Sequence, residues 1–295
     1  MLTYHDILVG EAKIARLYDS SLNGETAQSL FPMFAREEVR PHERWLCPTH
    51  FNADSGHVPL PVQTFVIEAR GKIILIDTCI GNDKDRPLVA DMHMLTTRYL
   101  DRLAELGLQP EDVDYVMCTH LHPDHVGWNT QLIDGRWVPT FPNARYVISR
   151  TEYENQKRDA ATTSFSAARN TFNDSIQPIV SAGMVEFVDG VHELLDDFTF
   201  RPAPGHTVGH VRIELRSCGD SAVFAGDVLH SPLQIPLWHW SSKYCADHEL
   251  AKQSRRELLE FCVSENALLI PGHFEAPYFA RVREVDGIFL PDFGW

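Results

Sequence analysis

Residues 119–125 read Thr-His-Leu-His-Pro-Asp-His, and they follow directly on the largely apolar stretch 113–118. Four of these side chains can bind a metal: His120, His122, Asp124 and His125. Alternate residues of an extended segment point the same way, so His120 and His122 can reach one ion. The turn that Pro123 forces lets Asp124 and His125 face a second ion. A solvated polar loop is the alternative, and the apolar lead-in disfavours it.

Three later sites share one pattern, a hydrophobic strand that ends in Gly and is followed by a ligand-type residue. They are Pro204-Gly205-His206, Ala225-Gly226-Asp227 and Pro271-Gly272-His273. Glycine lets the backbone turn sharply and approach closely, as a metal site at strand ends requires. Each pair alone is common turn chemistry. Together with residues 119–125, and in this order, they specifically indicate a metal centre.

The segments around these motifs alternate between strands and helices. The strand predictions are a hairpin over 62–77 and single strands at 113–120, 144–149, 198–204, 210–217, 221–227 and 267–273. The helix predictions are about 94–106 ended by Gly107, 151–158 with Glu152 and Tyr153 on its surface, and a helix capped by Asp247 that runs to about 262. Two half-domains of strands covered by helices predict an α/β fold, an αββα sandwich.

Composition narrows the class of protein. The 295 residues, 44% of them hydrophobic, suffice for one large domain over 1–295, and residues 1–60 are predicted to form an N-terminal arm or cap over the site or across a partner subunit. A net charge of -15 without a Lys/Arg cluster argues against nucleic acid as a partner. The six scattered cysteines do not form a disulfide framework. The first 20 residues have neither a signal-peptide core nor a membrane span, so we expect a cytoplasmic protein without a membrane partner.

These motifs resemble those of the metallo-β-lactamase superfamily, whose H-x-H-x-D-H motif is matched by His120 to His125 over a likeness of roughly residues 60 to 275. The resemblance implies two mixed sheets flanked by helices. It also implies that His120, His122 and His206 hold one metal, that Asp124, His125 and His273 hold the other, and that Asp227 bridges them. Asp77 matches the family's acid that orients a ligand imidazole. Many relatives have Gly two residues later, where this chain has Cys79.

The identity of single ligands narrows the chemistry that the resemblance implies. Oxygen-reducing di-iron members have Glu where this chain has His122, which favours hydrolysis. Common β-lactamases have Cys where this chain has Asp227, which disfavours an antibiotic-resistance role. The lactonase-like, glyoxalase II-like and organophosphate-hydrolase-like branches keep Asp there, and the chain resembles the lactonase-like branch first. A ligand set of nitrogen and oxygen suits two divalent transition-metal ions, Zn²⁺ first, with Mn²⁺, Fe²⁺ or Co²⁺ left open.

The implied mechanism is attack by a metal-bridging hydroxide, with Asp124 as the group that accepts and delivers the proton. Related lactonases often carry Tyr three residues after the bridging Asp, where this chain has His230, the candidate donor toward the substrate oxygen. His230 could instead hydrogen-bond a loop backbone. His210 is expected to be structural. Trp128, Trp238 and Trp240 follow ligand-bearing segments and are candidates for an apolar substrate pocket, or else for core packing.

The leading functional prediction is a metal-dependent hydrolase of a neutral or apolar ester, a lactone first, acting on a small molecule. A phosphotriester or aryl-ester hydrolase on the same metals is the alternative enzyme. A metal-binding sensor without turnover is the rival class. A homodimer is compatible with the sequence but is not required by it.

Overall fold

The computed structural model of the protein describes residue 2, residues 6–162 and residues 167–294. Within them, two β-sheets form the centre of the fold. The strands of the larger sheet are, in spatial order, Ile7–Val9 (β1), Ala12–Leu22 (β2), Leu60–Ala69 (β3), Lys72–Ile76 (β4), Tyr115–Met117 (β5), Arg145–Ser149 (β8) and Val185–Val188 (β9). Those of the smaller sheet are His192–Leu194 (β10), Phe198–Pro202 (β11), Val211–Ser217 (β12), Asp220–Gly226 (β13) and Leu268–Pro271 (β14). Two hairpins stand apart, Thr130–Ile133 (β6) with Arg136–Pro139 (β7), and Arg281–Val285 (β15) with Ile288–Asp292 (β16).

The helices vary widely in length. They are Ala27–Leu30 (α1), Arg36–Val39 (α2), Glu43–Leu46 (α3), Tyr99–Glu105 (α4), Pro123–Val126 (α5), Arg150–Thr162 (α6), Ala167–Thr171 (α7), Gln177–Ser181 (α8) and His248–Ser264 (α9). A π-helical turn, Phe172–Ile176, joins α7 to α8. No helix in the described part of the chain is long and apolar enough to cross a membrane.

Both sheets are mixed. In the larger one β1 to β4 pair antiparallel, whereas β4, β5, β8 and β9 pair parallel. In the smaller one only β13 and β14 are parallel. This arrangement confirms the predicted αββα sandwich. Because parallel strands end at the same edge of a sheet, the segments that follow β4 and β5 lie together, as do those that follow β13 and β14.

The strand β4 shows how the larger sheet is buried on both faces. Ile74 and Ile76 pack toward the smaller sheet, whereas Ile73 and Leu75 pack among residues of α4 and α8 on the opposite face. Successive side chains of a strand point to opposite faces of the sheet, so an unbroken run of branched apolar residues buries both faces. The sheets and their covering layers of helices therefore share one continuous interior.

Two helix predictions need correction. Residues 94–98 do not join α4, because they hydrogen-bond an adjacent loop: Asp83 N donates to Leu95 O, and Thr97 N donates to Asn82 Oδ1. Glu152 and Tyr153 were predicted on the surface of α6, yet both are buried. The capping of α9 by Asp247 is confirmed, since its carboxylate accepts from Leu250 N at 2.9 Å.

The first sixty residues divide into two parts, apart from residues 1 and 3–5, which lie outside the described range. The strands β1 and β2 belong to the larger sheet. Residues 27–60 instead form a small apolar cluster with Leu233, Leu237 and Trp240. The second part therefore lies against the loop that follows β13.

A buried ionic cluster joins the loop after β4 to the π-helical turn. Arg86 donates two hydrogen bonds to the carboxylate of Asp174, at 2.7 and 2.8 Å, and its side chain is fully buried. Lys84, also fully buried, lies 3.8 Å from the same carboxylate and donates to Thr130 Oγ1 at 2.7 Å. Asp174 is therefore the carboxylate partner of two buried cations.

Candidate metal centre

Seven side chains converge where the strand ends of the two sheets meet, and we call them the cage. They form two groups, His120, His122, His206 and Asp227 in one, and Asp124, His125 and His273 in the other. Within each group the potential ligand atoms lie within 4.8 Å of one another. The larger sheet supplies residues 120–125 after β5, and the smaller sheet supplies the other three after β11, β13 and β14. The cage thus spans the contact between the sheets.

Asp227 lies between the two groups. Its Oδ2 is 3.3 Å from His206 Nε2 and 3.8 Å from His120 Nε2. Its Oδ1 is 3.3 Å from His125 Nε2 and 3.2 Å from His273 Nε2. One carboxylate oxygen therefore faces each group, which is the geometry that a bridging ligand requires.

Outer partners hold the imidazoles in place. His125 Nδ1 and Thr119 Oγ1 bond to Asp77 Oδ2 at 2.8 and 2.7 Å, and Thr119 N donates to Asp77 Oδ1 at 2.8 Å. His273 Nδ1 bonds to Pro61 O at 2.8 Å, and His120 Nδ1 lies 3.1 Å from Thr119 Oγ1. Such partners fix the tautomer and orientation of a ligand ring. Asp77 was predicted to orient a ligand imidazole, and it contacts His125 as that role requires. Thr119 is an outer partner that the sequence analysis did not identify.

The glycines before the ligands allow close approach. Gly226 has φ +50°, and a Cβ there would lie 2.6 Å from Thr119 Oγ1. Gly205 has φ +127°, and a Cβ there would lie 2.1 Å from Ala251 N. Any side chain at either position would clash with a neighbouring segment and strain the backbone. The turns that deliver His206 and Asp227 therefore require glycine.

Glu152 joins two ligand loops and was missed by the sequence interpretation. Its carboxylate accepts from Leu121 N at 3.2 Å and from Gly209 N at 2.9 Å, and the side chain is fully buried. Burial raises the pKa of this carboxyl, although the hydrogen bonds that it accepts oppose the shift. A single glutamate in a polar helix carries no sequence signal for such a role, because an exposed position is the ordinary expectation.

The pKa shifts differ between the two groups of the cage. Burial lowers the pKa of His120 and of His206 well below its usual range, so both rings are neutral at pH 7. Burial acts in the same direction on His125 and His273, but the carboxylates around them, led by Asp227, raise the pKa of both rings. Burial opposes ionisation of Asp227, but the surrounding imidazoles, led by His273, hold the pKa of that carboxyl well below its usual value. Because metal binds neutral imidazole and ionised carboxylate, an ion at the second group would displace the protons of His125 and His273.

Several cage atoms lack a partner within the protein. Among the described residues, His120 Nε2, His125 Nε2 and Asp227 Oδ1 are buried and make no well-formed hydrogen bond. Buried polar atoms are almost always satisfied, so three orphaned atoms facing one another need a further group. Divalent ions at the two groups would satisfy all three. The residues present therefore fit a pair of metal ions.

A cavity of about 570 Å³ opens onto the cage. Its floor includes His122, Asp124, His206, Asp227, His230 and His273. Its lining includes five large apolar side chains, which we call the apolar wall: Leu22, Leu60, Leu88, Val89 and Met92. Glu25, Asp91 and Tyr244 also line the cavity. A concave apolar site with a few convergent polar groups is typical of small-molecule binding.

Residues 57–273 match the family model described as the metallo-beta-lactamase superfamily. The chain belongs to this superfamily. An N-acyl homoserine lactonase of Bacillus sp is 27% identical over 233 residues, which cover 72% of this chain and 81% of that protein. The comparison confirms the predicted family and its lactonase-like branch, and it confirms a hydrolase as the class of enzyme.

Two solved structures share the fold of this superfamily member over nearly its whole length. AidC, described as a dizinc quorum-quenching lactonase in complex with a product, has a TM-score of 0.74 at 22% identity and covers 97% of this chain and 95% of its own. AbOPH, described as a hydrolase in the beta lactamase superfamily, has a TM-score of 0.81 at 23% identity and covers 99% and 97%. At these identities the likeness concerns the fold alone.

In this superfamily member the three tryptophans do not line the cavity. Trp128 is buried and stacks on Tyr99, with ring centroids 5.0 Å apart. Trp240 is fully buried against Phe31. Trp238 is half-buried against the main core, with Arg256 over its ring. The alternative of core packing therefore describes them, because their loops fold back onto the interior rather than over the cage. The apolar side chains that line the cavity are those of the apolar wall and not these tryptophans.

His230 and His210 lie beside the cage in different ways. His230 lines the cavity, and its Nε2 is 3.3 Å from Asp227 Oδ2 and 3.4 Å from Ser242 Oγ. His210 Nε2 accepts from Asp227 N at 3.1 Å, so it fixes the backbone of the residue that faces both groups. His210 belongs to neither ligand group, in keeping with the structural role expected of it.

The position two residues after Asp77 has a backbone conformation that glycine adopts most readily. Cys79 has φ +50°, and Asp77 itself has φ +56°. Both values lie in the left-handed region, which costs a non-glycine residue of the order of 1–3 kcal/mol. Cys79 is fully buried, and its Sγ lies 3.3 Å from Thr64 Oγ1. The turn that presents Asp77 to the cage is therefore retained with cysteine in it.

Proposed function

We propose that the protein hydrolyses lactones that carry an apolar acyl group, with two divalent transition-metal ions, Zn²⁺ first, held by the cage. The observation that carries this proposal is the apolar wall, which shares one cavity with the cage. A lactone carbonyl above the cage would direct an attached acyl chain along the wall. N-acyl homoserine lactones are the first candidates, since several relatives are named lactonases of that class.

The charge of the cavity favours neutral substrates. The carboxylates of Glu25 and Asp91 both line the cavity. Lys243 Nζ lies 2.8 Å from Glu25 and neutralises its charge. The whole chain carries a net charge of -15. The carboxylate of Asp91 would therefore repel an anionic group on a substrate in that part of the cavity. A lactone with a neutral chain avoids this repulsion, as does an uncharged phosphotriester.

Each residue of the site has a proposed role. When bound, the two ions would supply Lewis acidity toward the carbonyl oxygen and lower the pKa of water to near neutral. Asp124 is proposed to take up a proton and return it to the leaving alkoxide, since it lines the cavity with its Oδ2 3.4 Å from His273 Nε2. His230 is proposed as a donor to the substrate oxygen. The cap predicted within residues 1–60 is proposed for residues 22–60, because Leu22, Glu25 and Leu60 reach the cavity from that segment.

A substrate panel tests this function. Acyl lactones of increasing chain length, an aryl ester and a phosphotriester would be assayed with the protein as purified, after chelation, and after Zn²⁺ is restored. We expect the long-chain lactone to have the highest kcat/KM, with activity lost on chelation and regained with metal. Preference for the phosphotriester would support the alternative enzyme. Bound metal without any turnover would favour the sensor, and chelator-insensitive turnover would contradict every version of the metal mechanism.

The apolar wall makes a separate prediction about chain length. Met92→Ala should lower kcat/KM for a long-chain lactone by about tenfold, because removing a large apolar contact costs about 1.5–3 kcal/mol and about 1.4 kcal/mol corresponds to tenfold. The rate on a short-chain lactone should stay nearly unchanged. Trp238→Ala is the matched control, since Trp238 does not line the cavity. Equal losses on both substrates in Met92→Ala, or a chain-length effect in Trp238→Ala, would place the acyl site elsewhere.

A further inference from the structure

One cage imidazole has an outer partner of unusual chemistry. Asp77, Pro61 O and Thr119 offer oxygen atoms to the outer nitrogens of His125, His273 and His120. The outer nitrogen of His206, Nδ1, instead lies 3.9 Å from the sulfur of Cys245. Its Nε2 faces the cage, 3.3 Å from Asp227 Oδ2. The thiol therefore lies behind His206 in the position that an oxygen atom has behind His120, His125 and His273.

We propose that Cys245 is the positioning residue for His206. When a metal binds Nε2, the ring proton is on Nδ1, and the sulfur 3.9 Å away is the acceptor that faces it and holds the ring in this orientation. This inference rests on the proposed two-ion site, but it does not depend on the substrate. An outer partner of this kind typically changes metal affinity by about 10–100-fold.

The backbone fixes the thiol relative to the ring. Ala246 N donates to His206 O at 3.0 Å, and Asp247 N donates to Gly205 O at 2.9 Å. Asp247 in turn caps α9, which anchors this segment to a long helix. Cys245 is itself buried. The distance between the thiol and His206 is therefore set by two ordered segments rather than by a free side chain.

A neighbouring serine orients the thiol. Ser242 Oγ lies 3.5 Å from the sulfur and 3.4 Å from His230 Nε2. The thiol can thus donate S–H to Ser242 while it accepts from His206. The same serine connects the ring that holds the metal to the ring proposed to contact the substrate.

Cys245→Ala tests this role, with Cys262→Ala as the matched control. Cys262 is also a buried thiol, but it lies in α9 among core residues. Both variants remove one sulfur from the interior. Zn²⁺ affinity would be measured by chelator competition on the metal-free proteins, and the absorption spectrum would be recorded with Co²⁺. We expect Cys245→Ala to bind its weaker Zn²⁺ about 10–100-fold less tightly and to alter the Co²⁺ spectrum, with Cys262→Ala unchanged in both.

Conservative variants keep the test decisive. Cys245→Ser should regain part of the lost affinity, because a hydroxyl also accepts from Nδ1–H. If Cys245→Ala does not fold, Cys245→Thr and Cys245→Val take its place, since they match in volume and differ in one hydroxyl, and Thr should bind metal more tightly. Equal Zn²⁺ affinity and Co²⁺ spectra in Cys245→Ala and Cys262→Ala, or in the Thr and Val variants, would overturn the inference. Failure of the unmutated protein to bind two ions would instead overturn the proposed function.

Discussion

Asp227→Ala should remove most of both metal ions and lower hydrolysis by more than about a hundredfold. One carboxylate oxygen faces each ligand group, at 3.2–3.3 Å from the nearest imidazole nitrogens. The substitution therefore takes a ligand from both ions at once, a larger loss than the roughly 10–100-fold that accompanies loss of an outer partner. Elemental analysis of protein purified without chelator would give the metal content, and a lactone assay would give the rate.

His230→Ala is the companion variant for Asp227→Ala. His230 lies outside both ligand groups, so the variant should keep both ions while its rate falls. Two ions retained in Asp227→Ala would show that the carboxylate does not bridge. An emptied site in His230→Ala would show that His230 belongs to the cage and that its proposed contact with the substrate is wrong.

Asp174→Ala should lower the free energy of unfolding by about 3–5 kcal/mol, the usual cost of removing one partner from a buried ion pair. Asp174 pairs with the fully buried guanidinium of Arg86 and lies 3.8 Å from Lys84, whose pKa burial lowers to about 7. Without it, Arg86 keeps a charge that has no counterion and no access to water. Urea unfolding followed by circular dichroism would measure the loss.

Asp101→Ala is the control for the buried cluster. Asp101 pairs with Arg98 at 3.1 Å, but both side chains are about two-thirds exposed. Such surface pairs contribute about 0–1 kcal/mol. If the two variants lost similar amounts of unfolding free energy, burial of the Arg86–Asp174 pair would not increase its contribution to stability, and the prediction would be wrong.

The convergence of the seven cage residues was predictable from sequence because each of them carries a local signal. The His-rich loop follows a buried strand, and His206, Asp227 and His273 each follow a glycine that ends a strand. A strand end fixes where the next side chain points, so seven residues could be assigned to one place without knowledge of the packing. The fold was predictable for the same reason, since strand and helix periods are local properties.

The cavity was not predictable, because its wall is assembled from segments without a shared pattern. Leu22 and Leu60 come from strands, whereas Leu88, Val89 and Met92 come from a loop that contains a short 3₁₀ helix, Ala90–Met92. The tryptophans carried a stronger sequence signal but lie in the interior, because proximity to a ligand along the chain does not fix which way a loop folds. Glu152 and Cys245 were missed for a related reason: each acts on a histidine loop more than thirty residues away in the sequence.

The position of the cage between the two sheets has a consequence for folding. Its ligands extend from residue 120 to residue 273 and come from strands of both sheets, so the complete site exists only after the two halves of the chain have packed together. An ion that binds only the packed state stabilises it by RT ln(1 + [L]/Kd), about 2.7 kcal/mol at a free concentration one hundred times Kd. We therefore expect bound metal to strengthen the packing of the two sheets, and we expect a chelator to lower the free energy of unfolding as well as the activity.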